Sequence, residues 1–307
     1  MRILLTTTSF TDTPGIHQEK LKSLNYKIDI LRGPLKEEIL LPIIGNYDGI
    51  ICGDDEITRK VIATGKKGKL KVISKYGIGL DKIDLKSADE FGIKVCKTPG
   101  VNHVTVSEHI LALLFSYYKN IHLEYNITKA GKWERLIWHE IYGKKIGIVG
   151  YGRIGHELAL RSNSLGFTVK AYDPYVSKKA ISDSDIEFVE NIINLVEEID
   201  ILALTLPLNN ETEGMINEKV INSASKKMVI VNTSRALIVN QNDLIQSLKT
   251  NKIQAYLTDV LEEEPMIQNH PLNEFKNVII TPHIGSRTYE SVQRQGLMAV
   301  ENLIKNI

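Results

Sequence analysis

The chain has 307 residues, 43% of them hydrophobic, which is enough for about two domains with a core each. Its 38 Lys and Arg stand against 37 Asp and Glu, so net charge gives no case for nucleic acid or an anionic membrane as partner. The two cysteines, Cys52 and Cys96, lie far apart in apolar runs and read as reduced thiols of a cytoplasmic protein, supporting neither a disulfide framework nor a metal site.

The opening MRILLTTTSF turns polar too soon for a signal peptide. Its first residues read as a strand over 2–6, followed by a helix over 16–25 and a strand over 27–31. Further strands are expected at 49–52, 71–74 and 94–96. Lys66, Lys67, Lys69 and Lys71, interleaved with Gly65 and Gly68, read as a solvated turn between them. Short β-rich runs alternating with helical patterns argue for a parallel sheet flanked by helices, here an open α/β unit closing near Pro99. A long helix then starts near Val104. It is apolar, but Glu108, His109, Ser116 and Lys119 exclude a membrane span.

A second series of six strands follows, at 145–149, 168–171, 201–204, 229–232, 255–259 and 278–281, enough for a complete doubly wound sheet. The closing segment, 289–304, is amphipathic, with Val292, Leu297, Val300 and Leu303 on one face. The expected fold is α/β with two open parallel-sheet domains. A Rossmann-type domain (99–285) is inserted into a flavodoxin-like one (1–98 plus 286–307) that regains the last helix. Trp133 and Trp138 are expected to pack on the segment before the second sheet, and His270, beside Pro271, to be exposed. His103 and His109, near a helix start, are expected to cap or pack, and none of these histidines has a metal partner at useful spacing.

The stretch GIVGYGRIG places Gly150, Gly152 and Gly155 in a G-x-G-x-x-G pattern between an apolar strand and a helix. Gly150 permits the tight turn, Gly152 lets backbone approach a pyrophosphate, and Gly155 lets helix and strand pack closely. The helix N-terminus then offers amides and partial positive charge to phosphates. Asp173 ends the next strand, where a carboxylate accepts hydrogen bonds from both ribose hydroxyls and repels a 2′-phosphate. NAD is therefore the expected cofactor, with Lys178 and Lys179 close enough in sequence to keep NADP open.

Three further positions each follow an expected strand of the second sheet, at the end where such sheets bind ligands. Arg235 can grip a carboxylate with two parallel hydrogen bonds. His283, in the turn TPHIGS, is the side chain suited to proton exchange near neutrality. Glu262, Glu263 and Glu264 precede Pro265, and position alone does not say which of them turns inward.

With these residues in hand the chain resembles the D-isomer-specific 2-hydroxyacid dehydrogenases, in particular the phosphoglycerate-dehydrogenase-like branch. The segments that carry the likeness are KYGIGLDKID, TPGVNHVTVSEH, GIVGYGRIG, TLPLNNETEGMI, VNTSRALIVN, DVLEEEP and TPHIGS, in that order along the chain. The resemblance implies hydride transfer between NAD and C2 of a small D-2-hydroxy or 2-oxo acid, 3-phosphoglycerate among the candidates. It makes Arg235 the carboxylate-binding residue, His283 the general acid and base, and Glu264 the partner of His283. Arg153 and Ile154 would present backbone to the pyrophosphate. Pro207, Thr233, Ser234 and Gly285 would line the cofactor, and Asp259 would hold its carboxamide. From the first domain, Tyr76, Gly77 and Ile78 would offer amides to the substrate carboxylate, with Lys75 able to neutralise a phosphate.

Against a phosphorylated substrate, ICGDDEIT places Asp54, Asp55 and Glu56 where phosphoglycerate dehydrogenases are expected to carry an additional arginine. Those acids disfavour phosphate if they face the ligand and are neutral if they cap the following helix. With the last helix ending at Ile307, no C-terminal regulatory extension is expected. The apolar helix near 104–121 and the resemblance imply a homodimer. Two other functions fit the same scaffold: an NAD(H)-sensing or corepressor-like binding protein, and oxidation of an inorganic or one-carbon acid.

Overall fold

The computed structural model describes residues 1–176 and 186–307, which divide into two compact units, Met1–Asn102 with Ser286–Ile307, and His103–Gly285. The first unit is built on a five-stranded sheet of β1 (Arg2–Leu5), β2 (Lys27–Ile30), β3 (Gly49–Cys52), β4 (Val72–Lys75) and β5 (Lys94–Cys96) in the order β2-β1-β3-β4-β5. All pairings are parallel. Every residue of β3 and β4 is buried, as a sheet covered on both faces requires.

Alternation along the strands divides this core in two. Leu4, Ile50 and Ile73 join one apolar cluster, whereas Ile3, Leu5, Ile51 and Val72 face Ala299, Val300 and Leu303 of the closing helix Tyr289–Asn306. That helix buries Val292, Val300 and Leu303 and half-buries Leu297. The strand expected at 71–74 is Val72–Lys75, which makes Lys75 a buried strand end paired with Cys52.

Among the described residues, the second unit carries seven parallel strands: β6 (Lys145–Val149), β7 (Thr168–Tyr172), β8 (Ile186–Phe188), β9 (Ile201–Leu204), β10 (Val229–Asn232), β11 (Ala255–Thr258) and β12 (Val278–Ile280). Their order, β12-β11-β10-β9-β6-β7-β8, reverses between β6 and β9. Ligands of open α/β sheets bind outside the carboxyl ends of strands at such a reversal. The long helix His103–Lys119 covers one face, with Ile110, Leu114 and Tyr118 clustered against Ile146, Ile148 and Val229.

The sheet has one strand more than the six expected. β8 is a three-residue edge strand, Ile-Glu-Phe, too short to show an alternating pattern, and its Glu187 accepts from Lys170 of β7 at 3.0 Å. Two side-chain expectations also fail. Trp133 is 78% exposed rather than packed, while Trp138 is half-buried and donates to Glu124 at 3.0 Å. His270 is buried, not exposed, because its Nδ1 caps the short turn Pro271–Glu274 by accepting from the Leu272 amide. Among the described residues no helix is long and apolar enough to cross a membrane.

Candidate active site

The glycine turn sits at the carboxyl end of β6. Gly150 has φ +92°, in the region that favours glycine, and a Cβ there would lie 2.8 Å from Leu206 Cβ. A Cβ on Gly155 would come within 2.2 Å of the Gly150 carbonyl oxygen, so the close passage of helix over strand depends on that glycine. Gly152 differs: a Cβ on it would meet none of the described residues within 4 Å. Its backbone is extended and faces open space just ahead of the helix Arg153–Ser164, and it makes no side-chain cap. The first-turn amides, with Arg153 and Ile154, are therefore available to an anion by helix geometry.

Asp173 follows β7, and its carboxylate accepts from the Tyr151 amide at 2.8 Å and the Tyr175 amide at 2.9 Å. Those bonds fix it against the glycine turn. Lys178 and Lys179 lie outside the described residues. After β9, Thr205 donates to the Gly150 carbonyl at 2.7 Å, and the exposed Pro207 supplies a carbonyl that accepts from Thr212.

At the end of β10, Asn232 builds the loop that carries Thr233, Ser234 and Arg235. Fully buried, it accepts from the Ser234 amide and donates to the Arg235 carbonyl, each at 3.0 Å. Arg235 Nη1 donates to the Ser234 carbonyl at 2.7 Å, which aims the guanidinium. The buried Thr233 hydroxyl has no hydrogen-bond partner among the described residues. A buried polar atom left so is costly unless a ligand completes it. This orphan hydroxyl, the open face of Gly152 and the placement of Asp173 fit a dinucleotide along the strand ends.

Glu264 and His283 are brought together from β11 and β12. His283 Nδ1 lies 2.8 Å from Glu264 Oε2, while Glu264 Oε1 accepts from the Leu261 amide at 3.0 Å. Each side chain stays about one-third exposed, at 34% and 35%. Of the three consecutive acids it is thus Glu264 that holds the imidazole, a distinction that linear position left open. His283 itself has φ +53°, an uncommon conformation for a residue with a Cβ.

Asp259, to which the resemblance gives the cofactor's carboxamide, also makes bonds within the protein. It is 2% exposed, and both its oxygens are engaged by the 281–285 turn: Oδ1 accepts from Thr281 Oγ1 at 2.6 Å and the Ile284 amide at 2.9 Å, Oδ2 from the Gly285 amide at 2.7 Å. Burial pushes its carboxyl up, but the hydrogen bonds from His109, Thr281 and Ile284 outweigh this and hold it below the usual carboxylate range. His109 was expected only to cap or pack. Its Nε2 lies 3.0 Å from Thr281 Oγ1 and 3.4 Å from Asp259 Oδ1. His109 and Asn232 both lie in segments that carry the family likeness, but nothing in them gave either residue a role in the site.

In the first unit, the three acids after β3 differ: Asp55 is buried, Glu56 half-buried and Asp54 exposed. Asp55 is fully buried and accepts from Thr6 Oγ1, the Leu35 amide and the Gly53 amide. Glu56 accepts from the Glu37 amide. Lys75, 3% exposed, donates to the Gly53 carbonyl at 2.5 Å and to Asp54 at 2.7 Å. Of the three amides expected for a carboxylate, that of Tyr76 donates to Cys52 and that of Gly77 to Thr98, which leaves Ile78.

Comparison with known proteins bears on this arrangement. Residues 111–285 match the family model of the D-isomer specific 2-hydroxyacid dehydrogenase, NAD binding domain. The chain is 34% identical over 297 residues to a D-3-phosphoglycerate dehydrogenase of Methanocaldococcus jannaschii, covering 95% of this chain and 56% of that one. It is 34% identical over 286 residues to a hydroxypyruvate reductase of Thermotoga maritima, covering 92% of each. It thus spans about half the length of the phosphoglycerate dehydrogenases it matches and nearly all of the reductase. Among solved structures, the apo form of D-lactate dehydrogenase from Escherichia coli aligns with a TM-score of 0.87 at 26% identity, over 99% of this chain and 96% of that one.

Proposed function

The chain belongs to the D-isomer-specific 2-hydroxyacid dehydrogenase family, with NAD as cofactor, and on that premise we propose that it interconverts a small, unphosphorylated 2-oxo acid and its D-2-hydroxy acid. NAD supplies the carbon that gives or takes the hydride. The chain supplies the rest. Arg235, aimed by its bond to the Ser234 carbonyl, grips the substrate carboxylate in the bidentate manner that lysine cannot copy. His283 gives a proton to the oxygen on C2 during reduction and takes it during oxidation. Glu264 accepts from Nδ1–H, so it sets the tautomer and orientation of the ring and assigns the exchange to Nε2.

The single observation that carries this reading is the 2.8 Å pairing of Glu264 with His283, on side chains that keep a third of their surface exposed. The preference for an unphosphorylated acid rests on Lys75, whose ammonium is buried and already paired with Asp54 and the Gly53 carbonyl. The relatives' names include both a phosphoglycerate dehydrogenase and a hydroxypyruvate reductase, and Lys75 favours the substrate class of the second.

A spectrophotometric screen with NADH tests the proposal, using hydroxypyruvate, glyoxylate, pyruvate, 2-oxoglutarate and 3-phosphohydroxypyruvate. Turnover of one of the first three, well above that of 3-phosphohydroxypyruvate, is expected. Preference for the phosphorylated acid would overturn the substrate class. Tight NADH binding with no turnover of any acid would replace catalysis with cofactor sensing.

A further inference from the structure

The turn that presents His283 is over-determined from below. His283 occupies a left-handed conformation, and its own amide donates back to the Thr281 carbonyl at 3.0 Å. A residue held so persists only when its surroundings fix it. Here the fixing groups bracket the histidine in sequence. On one side stands the Thr281 hydroxyl, on the other the amides of Ile284 and Gly285, and all three donate to the one buried carboxylate of Asp259. Gly285 is part of the construction, since a Cβ there would lie 2.8 Å from Asp259 Oδ2 and 3.4 Å from His109 Cδ2.

His109 closes this system from the long helix His103–Lys119. The Thr281 hydroxyl gives its one proton to Asp259, so its oxygen is an acceptor towards His109, and the imidazole must present Nε2–H. The donor order is then His109 to Thr281 to Asp259. A chain of this kind polarises along its length and anchors the turn to a helix buried in the core of the same unit.

We propose that His109 and Thr281 are positioning residues, which act through Asp259 to hold the backbone of 281–285 and so set where the His283 imidazole stands. They touch neither substrate nor cofactor in this scheme. Proton transfer is sensitive to misplacement of the donor by about an ångström, so loosening the turn lowers the rate of chemistry while binding is preserved. This inference rests on the role proposed for His283, and its test therefore includes a readout independent of turnover.

Four variants of the full chain separate the possibilities: Thr281→Val and His109→Leu, which remove the donors, and Thr281→Ser and His109→Gln, which keep a hydroxyl and an N–H. With glyoxylate as the turnover probe, Thr281→Val and His109→Leu are expected to lower kcat about tenfold or more, with KM and the NADH dissociation constant within about twofold. Thr281→Ser and His109→Gln are expected to recover most of the loss. In parallel, hydrogen exchange at the Ile284 and Gly285 amides is expected to quicken about tenfold in Thr281→Val and to return towards the parent rate in Thr281→Ser. That second measurement stands even if glyoxylate is not turned over. Unchanged exchange in Thr281→Val would overturn the proposal. So would unchanged kcat in a variant whose amides had opened, or a loss of NADH affinity equal to the loss of kcat, which would move the network into cofactor binding.

Discussion

The carboxyl ends of the two sheets use charge in opposite ways. Below β3 and β4, Asp55 and Lys75 are buried to 0% and 3% exposure, and each is surrounded by partners from its own unit. Beyond β11 and β12, Glu264 and His283 are paired just as closely, yet keep a third of their side-chain surface. Pairing with complete burial is the mark of scaffold, because a buried charge must be satisfied internally. Pairing with retained exposure leaves groups able to meet something else. Asp259, beneath the second site, is 2% exposed, and its carboxylate holds the 281–285 turn.

The largest test of that contrast is His283→Asn, which is expected to reduce kcat by about 10²–10⁴ while leaving NADH binding measured by fluorescence nearly intact. Turnover at the parent rate would remove the imidazole from proton transfer. Arg235→Lys comes next, with about 2–4 kcal/mol lost from kcat/KM as the bidentate grip becomes a point charge. A loss confined to thermal stability would make Arg235 structural instead. The glycine turn offers a sharper pair. Gly155→Ala forces a Cβ against the Gly150 carbonyl and should cost about 1–3 kcal/mol in denaturant titration, whereas Gly152→Ala has room and should spare stability but weaken NADH. Equal destabilisation by both would contradict the open face at Gly152.

On the first sheet, Lys75→Met should cost about 1–2 kcal/mol of stability through loss of the hydrogen bond to the Gly53 carbonyl, with KM for the oxo acid within about twofold. A large rise in KM would return Lys75 to the substrate. The smallest effect concerns pH. Burial pulls the His17 imidazole down, against its hydrogen bond to the Phe10 carbonyl. Folded His17 then binds fewer protons than unfolded, so the stability present above about pH 6.5 is lost as pH falls towards the folded value. Melts of His17→Gln between neutrality and pH 5 should show a flatter decline; an identical slope would exclude His17 as its source.

Much of this molecule is legible along the chain, for reasons that are local. Strands such as Gly49–Cys52, Ile201–Leu204 and Val229–Asn232 announce themselves as short apolar runs because parallel strands are covered on both faces. The turn at Gly150 to Gly155 is readable because its glycines are demanded by backbone contacts a few residues away. The three-residue β8 has no such signature, since an edge strand so short is chosen by its neighbour β7 rather than by its own pattern.

Residue order alone determined two open α/β sheets, the glycine turn, and the presence of Arg235, three acids and His283 beyond strand ends, because periodicity and turn chemistry act over a few residues. The family likeness singled out Glu264 among the three acids, but only the tertiary structure decided how closely it meets the imidazole, that Lys75 is committed to Asp54, and that Asp259 and His109 grip the turn beneath His283. The physical reason is distance along the chain. His109 and Thr281 are separated by 172 residues and meet only because a helix and a strand end pack together, and no local pattern encodes that meeting.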